Sequence, residues 1–98
     1  MPTWRRKQNQ ELQQKVRNER CVACGKGPPS DVDHIQSIGS GGESVADNMW
    51  PLSRDCHMEK HRLGLTRFVG KYPHLEMILK NKGWVYDEYK KKWFRRKV

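Results

Sequence analysis

The chain has 98 residues, which is the size of one small domain. Lys and Arg number 20 against 11 Asp and Glu, so the formal net charge is +9, and the pI is about 9.8. The mean hydropathy is −1.02, and no apolar run reaches the roughly 18 residues of a membrane span, which excludes an integral membrane protein. Because only 35% of the residues are hydrophobic, a large core is excluded too, and such small domains often need a metal or a disulfide.

The three cysteines, Cys21, Cys24 and Cys56, favour a metal over a disulfide. Their number is odd, and the first residues lack the apolar stretch of a secretory signal, which together predict a reducing compartment. The Cys21-x-x-Cys24 pair is therefore a candidate metal site.

The positive charge predicts a polyanionic partner, because a charge of +9 on so small a body produces a strong electrostatic field. Nucleic acid is the expected polyanion. Two alternatives are an anionic membrane surface and a solvated basic surface that binds no partner.

In chain order, the first predicted element is a helix over about residues 7–19, where Gln, Glu, Lys and Arg favour helix. Val32–Ile35 predicts a short strand. Gly39–Gly42 predicts a flexible loop, because glycines there weaken any helix or strand. Asn48–Leu52 predicts a second short strand, with Pro51 at an edge or an end.

Helical signals follow the second strand. Ser53 is a good N-cap for a helix over Arg54–Leu63, and Gly64 is expected to end that helix. One or two further helical turns are predicted over Thr66–Lys71, and another helix is predicted from Pro73 to the glycine at position 83.

The tail predicts a β-hairpin, because aromatic runs at Trp84–Tyr86 and Trp93–Phe94 flank a polar turn. No repeat and no domain boundary is visible in the chain. The sequence therefore predicts a single domain of the α+β class.

A candidate metal site lies on the predicted helix after Ser53. His57 and His61 are four residues apart, so their rings project from one helix face and can bind one cation; a solvated surface pair is the alternative. Asp33 and His34 add a carboxylate and a third imidazole from the first strand. Two His and one Asp suit Mg²⁺, Mn²⁺, Ni²⁺ or Zn²⁺. His34 is then the candidate general base, because a neutral imidazole takes a proton from water near neutral pH.

One geometric condition applies to Asp33 and His34. Adjacent residues of a regular strand point to opposite faces. Both side chains can therefore reach one phosphate only if the strand ends or bulges at this point.

The order of these residues resembles a known family. Asp33-His34-Ile35, then Asn48 fourteen residues after His34, then His57 nine residues after Asn48, resembles the motif of the HNH endonucleases. The resemblance covers about residues 21–61. It implies a ββα-metal, treble-clef-like finger, in which two short strands precede a helix. Leu65-Thr66-Arg67-Phe68 and the segments after it are similar to small phage-type HNH nucleases.

The predicted elements and the resemblance together divide the single nuclease domain into three parts. Residues 1–20 would form an N-terminal helical arm, and residues 21–63 would form a zinc knuckle with the ββα-metal core. Residues 64–98 would form a C-terminal extension of helix and hairpin.

The family roles carry over to matching positions. His34 would be the general base, and Asn48 would brace the loop between the strands and orient that base. Asp33, His57 and His61 would hold one divalent metal. The implied reaction is metal-dependent hydrolysis of DNA phosphodiester bonds, and we expect low sequence specificity because little else in the chain encodes base readout.

A structural zinc is the second implied metal. Many HNH proteins hold it with two Cys-x-x-Cys pairs; Cys21 and Cys24 match the first pair and Cys56 matches the last cysteine, but Ser53 stands at the third position. Zinc would then take three thiolates plus water or another donor such as His74. A weak site, an empty site with Ser53 as a helix cap, and packed free cysteines are the alternatives.

Partners and setting complete the prediction. DNA is the expected partner, and no membrane partner is expected. The chain would act as a homodimer, or a larger phage or recombination enzyme would recruit it. The expected location is the bacterial or phage-infected host cytoplasm. A non-catalytic zinc-binding nucleic-acid module, an RNA-directed nuclease and an adaptor on an inactive nuclease fold are the alternatives.

Four basic residues flank the site and are predicted to bind phosphates, with a solvated helix face as the alternative: Arg54, Lys60, Arg62 and Arg67.

Overall fold

The computed structural model describes the backbone of residues 3–95 and the side chains of residues 9–95. This part of the chain is α+β, with four α-helices and two antiparallel sheets of two strands each, which confirms the predicted fold class. The chain divides into two compact units, residues 1–57 and 58–98. The single domain stays a prediction, and residues 1, 2 and 96–98 of its arm and extension lie outside the described residues.

The first unit packs a helix against a small sheet. Helix α1 (Thr3–Arg17) contacts both strands, β1 (Asp31–His34) and β2 (Met49–Leu52). The strands are antiparallel, with Asp33 opposite Trp50. All four residues of β2 are buried, so this short strand is the centre of the unit's core.

Helix α2 (Arg54–Leu63) has the predicted bounds, and both of its ends have local causes. At its start, the Cys56 backbone N–H donates a hydrogen bond to Ser53 Oγ at 3.3 Å, which satisfies one of the unpaired donors of a first turn. At its end, Gly64 adopts φ 84°, a left-handed conformation that favours glycine. The division between the two units falls within this helix.

The second unit contains two short helices and a hairpin: α3 (Leu65–Lys71), α4 (Leu75–Asn81), β3 (Trp84–Asp87) and β4 (Lys92–Arg95). This confirms the predicted hairpin. Helix α3 contacts β4, and α4 contacts β3. The core of this unit is apolar and buried, and it consists of Phe68, Val69, Leu75, Leu79, Trp84 and Trp93. Within residues 3–95, no helix combines the length and apolar character needed to cross a bilayer.

Candidate active site

The sheet and helix α2 bring Asp33 and His57 together. His57 Nε2 lies 3.3 Å from Asp33 Oδ1, and the Asp33 side chain is only 1% exposed. The other oxygen, Oδ2, accepts a hydrogen bond from Trp50 Nε1–H at 2.7 Å. Trp50 therefore holds one carboxylate oxygen from behind, while the other oxygen faces the imidazole.

His61 lies one turn further along α2, on the same helix face as His57. Asp33, His57 and His61 each offer one ligand atom, and these atoms lie within 4.8 Å of one another. Metal–nitrogen and metal–oxygen bonds of about 2.0–2.2 Å place two ligands of one cation roughly 3–4 Å apart, so the 4.8 Å limit on the separation of these atoms is close to what a shared ion needs. Asp33 is buried, His57 half-buried and His61 exposed, so the group reaches the surface.

His34 is the last residue of β1, so the strand ends where the geometric condition requires it to end. Its ring is half-buried, and its Nε2 forms a hydrogen bond with Ser44 Oγ at 3.1 Å. Among the described residues, the candidate metal-binding group of Asp33, His57 and His61 does not include His34. The two neighbours therefore have different surroundings.

Asn48 closes the loop between the strands. Its side chain accepts a hydrogen bond from the Gln36 backbone N–H at 2.8 Å, and it donates to the carbonyls of Gln36 at 3.0 Å and Glu43 at 2.8 Å. The loop passes so close that a Cβ on Gly42 would lie 1.9 Å from Gln36 O. The glycine-rich loop begins after His34 and ends before β2. The buried side-chain amide of Asn48 therefore holds this loop in place through three hydrogen bonds.

A comparison with protein-family models bears on this arrangement. The family described as HNH endonuclease matches residues 21–63. These residues are an HNH domain. Comparisons with curated proteins and with solved structures found no significant match. The matched segment includes β1, β2 and α2, the two strands and the helix that the resemblance implies, and it contains both candidate metal-binding groups.

The second group in the HNH domain consists of Cys21, Cys24 and Cys56. Their sulfur atoms lie within 4.8 Å of one another, and all three are free thiols. The Cys24 backbone N–H donates to Cys21 Sγ at 3.4 Å, as expected for a tight Cys-x-x-Cys turn. Cys21 and Cys56 are buried, and Cys24 is exposed.

The electrostatics of this cluster favour a single thiolate. Burial raises the pKa of the Cys21 thiol, but hydrogen bonds from the backbone of Cys24, Ser53 and Ala23 outweigh burial and lower the pKa to about 6. Burial raises the pKa of Cys56 to about 11, and the neighbouring Cys24 and Cys21 add to the rise. A second negative charge in this small space is therefore unfavourable unless a cation compensates it.

Ser53 lies against the cysteines. Its Oγ is 3.5 Å from Cys24 Sγ and also accepts the Cys56 backbone N–H. The helix-cap interpretation of Ser53 is therefore confirmed, and the same hydroxyl stands beside the thiols. The alternative donor, His74, lies in the second unit and stays a prediction.

The four basic residues predicted to bind phosphates differ in exposure. Arg54 and Arg62 have side chains 79% and 71% exposed, and Arg67 is exposed as well. Lys60 is only 7% exposed. A phosphate contact from Lys60 would therefore need a movement of the side chain, whereas the three arginines already face solvent.

Three residues that hold the site were missed by the sequence analysis: Asp31, Trp50 and Ser44. Asp31 Oδ2 lies 3.1 Å from His57 Nδ1. A signal for Asp31 was present, because residues two apart in a strand share a face, so Asp31 and Asp33 face the same side. Trp50 is found only through the register of the strands, and Ser44 comes from an irregular loop without such a signal.

Proposed function

We propose that the chain is a metal-dependent endonuclease that hydrolyses DNA phosphodiester bonds with low sequence specificity. The observation that carries the proposal is the convergence of Asp33, His57 and His61 inside an HNH domain. Asp33 lies on β1, far in the chain from the two histidines of α2, and a carboxylate and two imidazoles at such spacing form a ligand set for a divalent cation.

The residues fit a cation on a second ground. Asp33 Oδ1 and His57 Nε2 are 3.3 Å apart, and both are electron-rich when the imidazole is neutral and carries its proton on Nδ1. Two such atoms repel each other unless a proton or a metal ion lies between them. The mixed oxygen and nitrogen donors suit Mg²⁺, Mn²⁺, Ni²⁺ or Zn²⁺, and a divalent cation held here would stabilise negative charge on the phosphate and on the leaving oxygen.

The chain's own residues would perform the proton transfer. His34 would take a proton from a water whose oxygen forms a new bond to phosphorus. The P–O bond to the leaving oxygen would break, and that oxygen would take a proton from solvent. The hydrogen bond with Ser44 holds the His34 ring in one orientation. Asn48 binds the backbone of Gln36, two residues after His34, and would thereby hold the base in place at the end of β1.

The charge distribution supports a nucleic-acid substrate. The net charge is +9, and Arg54, Arg62 and Arg67 are exposed. Contacts to phosphates fix a protein on DNA without reading its sequence, which agrees with low specificity. The proposal includes the setting that the resemblance implies: bacterial or phage-infected host cytoplasm, with action as a homodimer or on recruitment by a larger phage or recombination enzyme.

A cleavage assay tests the proposed activity. Metal-free protein is incubated with supercoiled plasmid and with structured RNA, in separate reactions with Mg²⁺, Mn²⁺, Ni²⁺ and Zn²⁺. We expect nicked and then linear plasmid with at least one cation, product ends at many sequences, and no product with a chelator. DNA binding without cleavage in every cation would identify a non-catalytic module. Cleavage of RNA alone would identify an RNA-directed nuclease.

We further propose that Cys21, Cys24 and Cys56 hold a structural zinc. Three sulfur atoms within 4.8 Å of one another form a soft donor set of the kind that selects zinc. The buried cluster would gain from a cation, because ionising Cys56 beside Cys21 is otherwise unfavourable. The fourth ligand would be water or another donor, because a serine hydroxyl is a poor zinc ligand.

The serine at position 53 provides a test of the zinc site with opposite effects in two conditions. In Ser53→Cys, loss of the hydroxyl cap is expected to cost about 1 kcal/mol without zinc, which lowers the melting temperature by about 4–8 °C. With zinc, the fourth thiolate should reverse this loss and make the variant melt above the wild type. Melting curves with and without zinc measure both effects.

Two controls accompany this variant. Ser40→Cys adds a thiol at an exposed position and should show no zinc-dependent gain. Cys56→Ser should lower the zinc content, measured by native mass spectrometry, by about one ion per chain relative to the wild type. Equal zinc content in Cys56→Ser and the wild type would show that the cysteines do not hold the ion.

A further inference from the structure

His57 lies between two carboxylates. Its Nδ1 is 3.1 Å from Asp31 Oδ2, and its Nε2 is 3.3 Å from Asp33 Oδ1. Asp31 and Asp33 are the first and third residues of β1, so their side chains share a face of the strand. The two carboxylates have different environments, because Asp33 is 1% exposed and Asp31 is 31% exposed.

The contact with Asp31 selects the form of the imidazole. A neutral imidazole carries one N–H and one lone pair. With the proton on Nδ1, the ring donates to Asp31 and points its Nε2 lone pair at Asp33 Oδ1, 3.3 Å away, so this form is favourable when a cation lies between these two atoms. With the proton on Nε2, the Nδ1 lone pair would face a carboxylate oxygen at 3.1 Å, which is repulsive.

We propose that Asp31 is a positioning residue of the metal site: by accepting the Nδ1–H of His57, its carboxylate directs Nε2 to the cation. The inference rests on the proposed metal site. Carboxylate partners of ligating histidines fix the ring and raise its basicity, and their loss typically costs about 10–100-fold in metal affinity.

Arg54 contributes less to this arrangement. Its Nε lies 3.8 Å from the same Asp31 oxygen, but its side chain is 79% exposed. Ion pairs at such exposure are weak, because water and salt screen them. We therefore expect Arg54→Gln to leave metal affinity unchanged, in contrast to substitutions of Asp31.

The test measures Mn²⁺ binding to the full chain through the loss of the free-ion electron paramagnetic resonance signal, because thiolates bind this hard ion weakly. Asp31→Ala is expected to weaken binding about 10–100-fold. Asp31→Asn, which keeps an acceptor oxygen, should lose less. Asp55→Asn is the matched control, since it removes the same charge from an exposed position of α2 and should bind as the wild type does.

A second readout does not depend on metal or on activity. Nitrogen-15 spectra of the metal-free protein report which nitrogen of His57 carries the proton. We expect Nδ1 of His57 to be protonated in the wild type, because Asp31 accepts its proton. In Asp31→Ala we expect Nδ1 to lose that proton and Nε2, which faces Asp33, to be the protonated nitrogen. If that variant fails to fold, Asp31→Asn gives both measurements, because it is nearly isosteric.

The outcomes separate the inference from the proposed nuclease. Wild-type Mn²⁺ affinity in the Asp31 variants, with affinity lost in His57→Ala, would overturn the role of Asp31. Unchanged affinity in both would overturn the metal site and the inference together. If the affinities change as expected but the wild type cleaves no nucleic acid, only the nuclease activity is contradicted, and the positioning role stands.

Discussion

The His34→Ala variant is expected to lose about 10²- to 10⁴-fold of the plasmid cleavage rate, which is the usual contribution of a general base. Its metal affinity should stay at the wild-type value, because His34 lies outside the group of ligand atoms formed by Asp33, His57 and His61. DNA affinity should also persist, since the exposed arginines are unchanged. Single-turnover cleavage, Mn²⁺ titration and DNA titration measure the three quantities.

The matched control for this variant is His74→Ala, which removes an exposed imidazole from the second unit. It should cleave at the wild-type rate. Unchanged cleavage by His34→Ala would show that another group accepts the proton or that a contaminating nuclease is present. Loss of metal binding in His34→Ala would instead place this residue among the ligands.

The Asp33→Asn variant is expected to lose both the cation and the activity. The substitution removes the carboxylate, which is the buried member of the three proposed ligands. The asparagine keeps a side-chain oxygen, which can still accept the hydrogen bond that Trp50 Nε1–H donates to Asp33 at 2.7 Å. The loss of metal affinity should therefore exceed the 10–100-fold typical of an outer-shell partner, without loss of the fold. Mn²⁺ titration, cleavage rates and melting curves test these three points.

High cation concentration distinguishes the two variants. Because Asp33→Asn is defective in binding the metal, raising the Mn²⁺ concentration should restore part of its cleavage. His34→Ala is defective in proton transfer and should gain nothing from added Mn²⁺. Wild-type metal affinity in Asp33→Asn would mean that the cation binds elsewhere, and the proposed site would then be wrong.

Much of the local structure could be predicted because its causes are local. Ser53 and Gly64 mark the ends of α2 through capping and a left-handed residue, and both bounds were confirmed. The helical period alone places His57 and His61 on one face. The hairpin at 84–95 was likewise visible from its aromatic runs and polar turn.

The sequence by itself determined the elements of this protein and the identities of its candidate ligands, since capping, periodicity and spacing act over a few residues. Only the tertiary structure decided which side chains meet. The register of β1 and β2 places Trp50 behind Asp33, and the packing of α2 places His57 beside Asp31 and Ser53 beside Cys24. Such contacts join residues far apart in the chain, so their geometry depends on strand register and packing rather than on any local pattern.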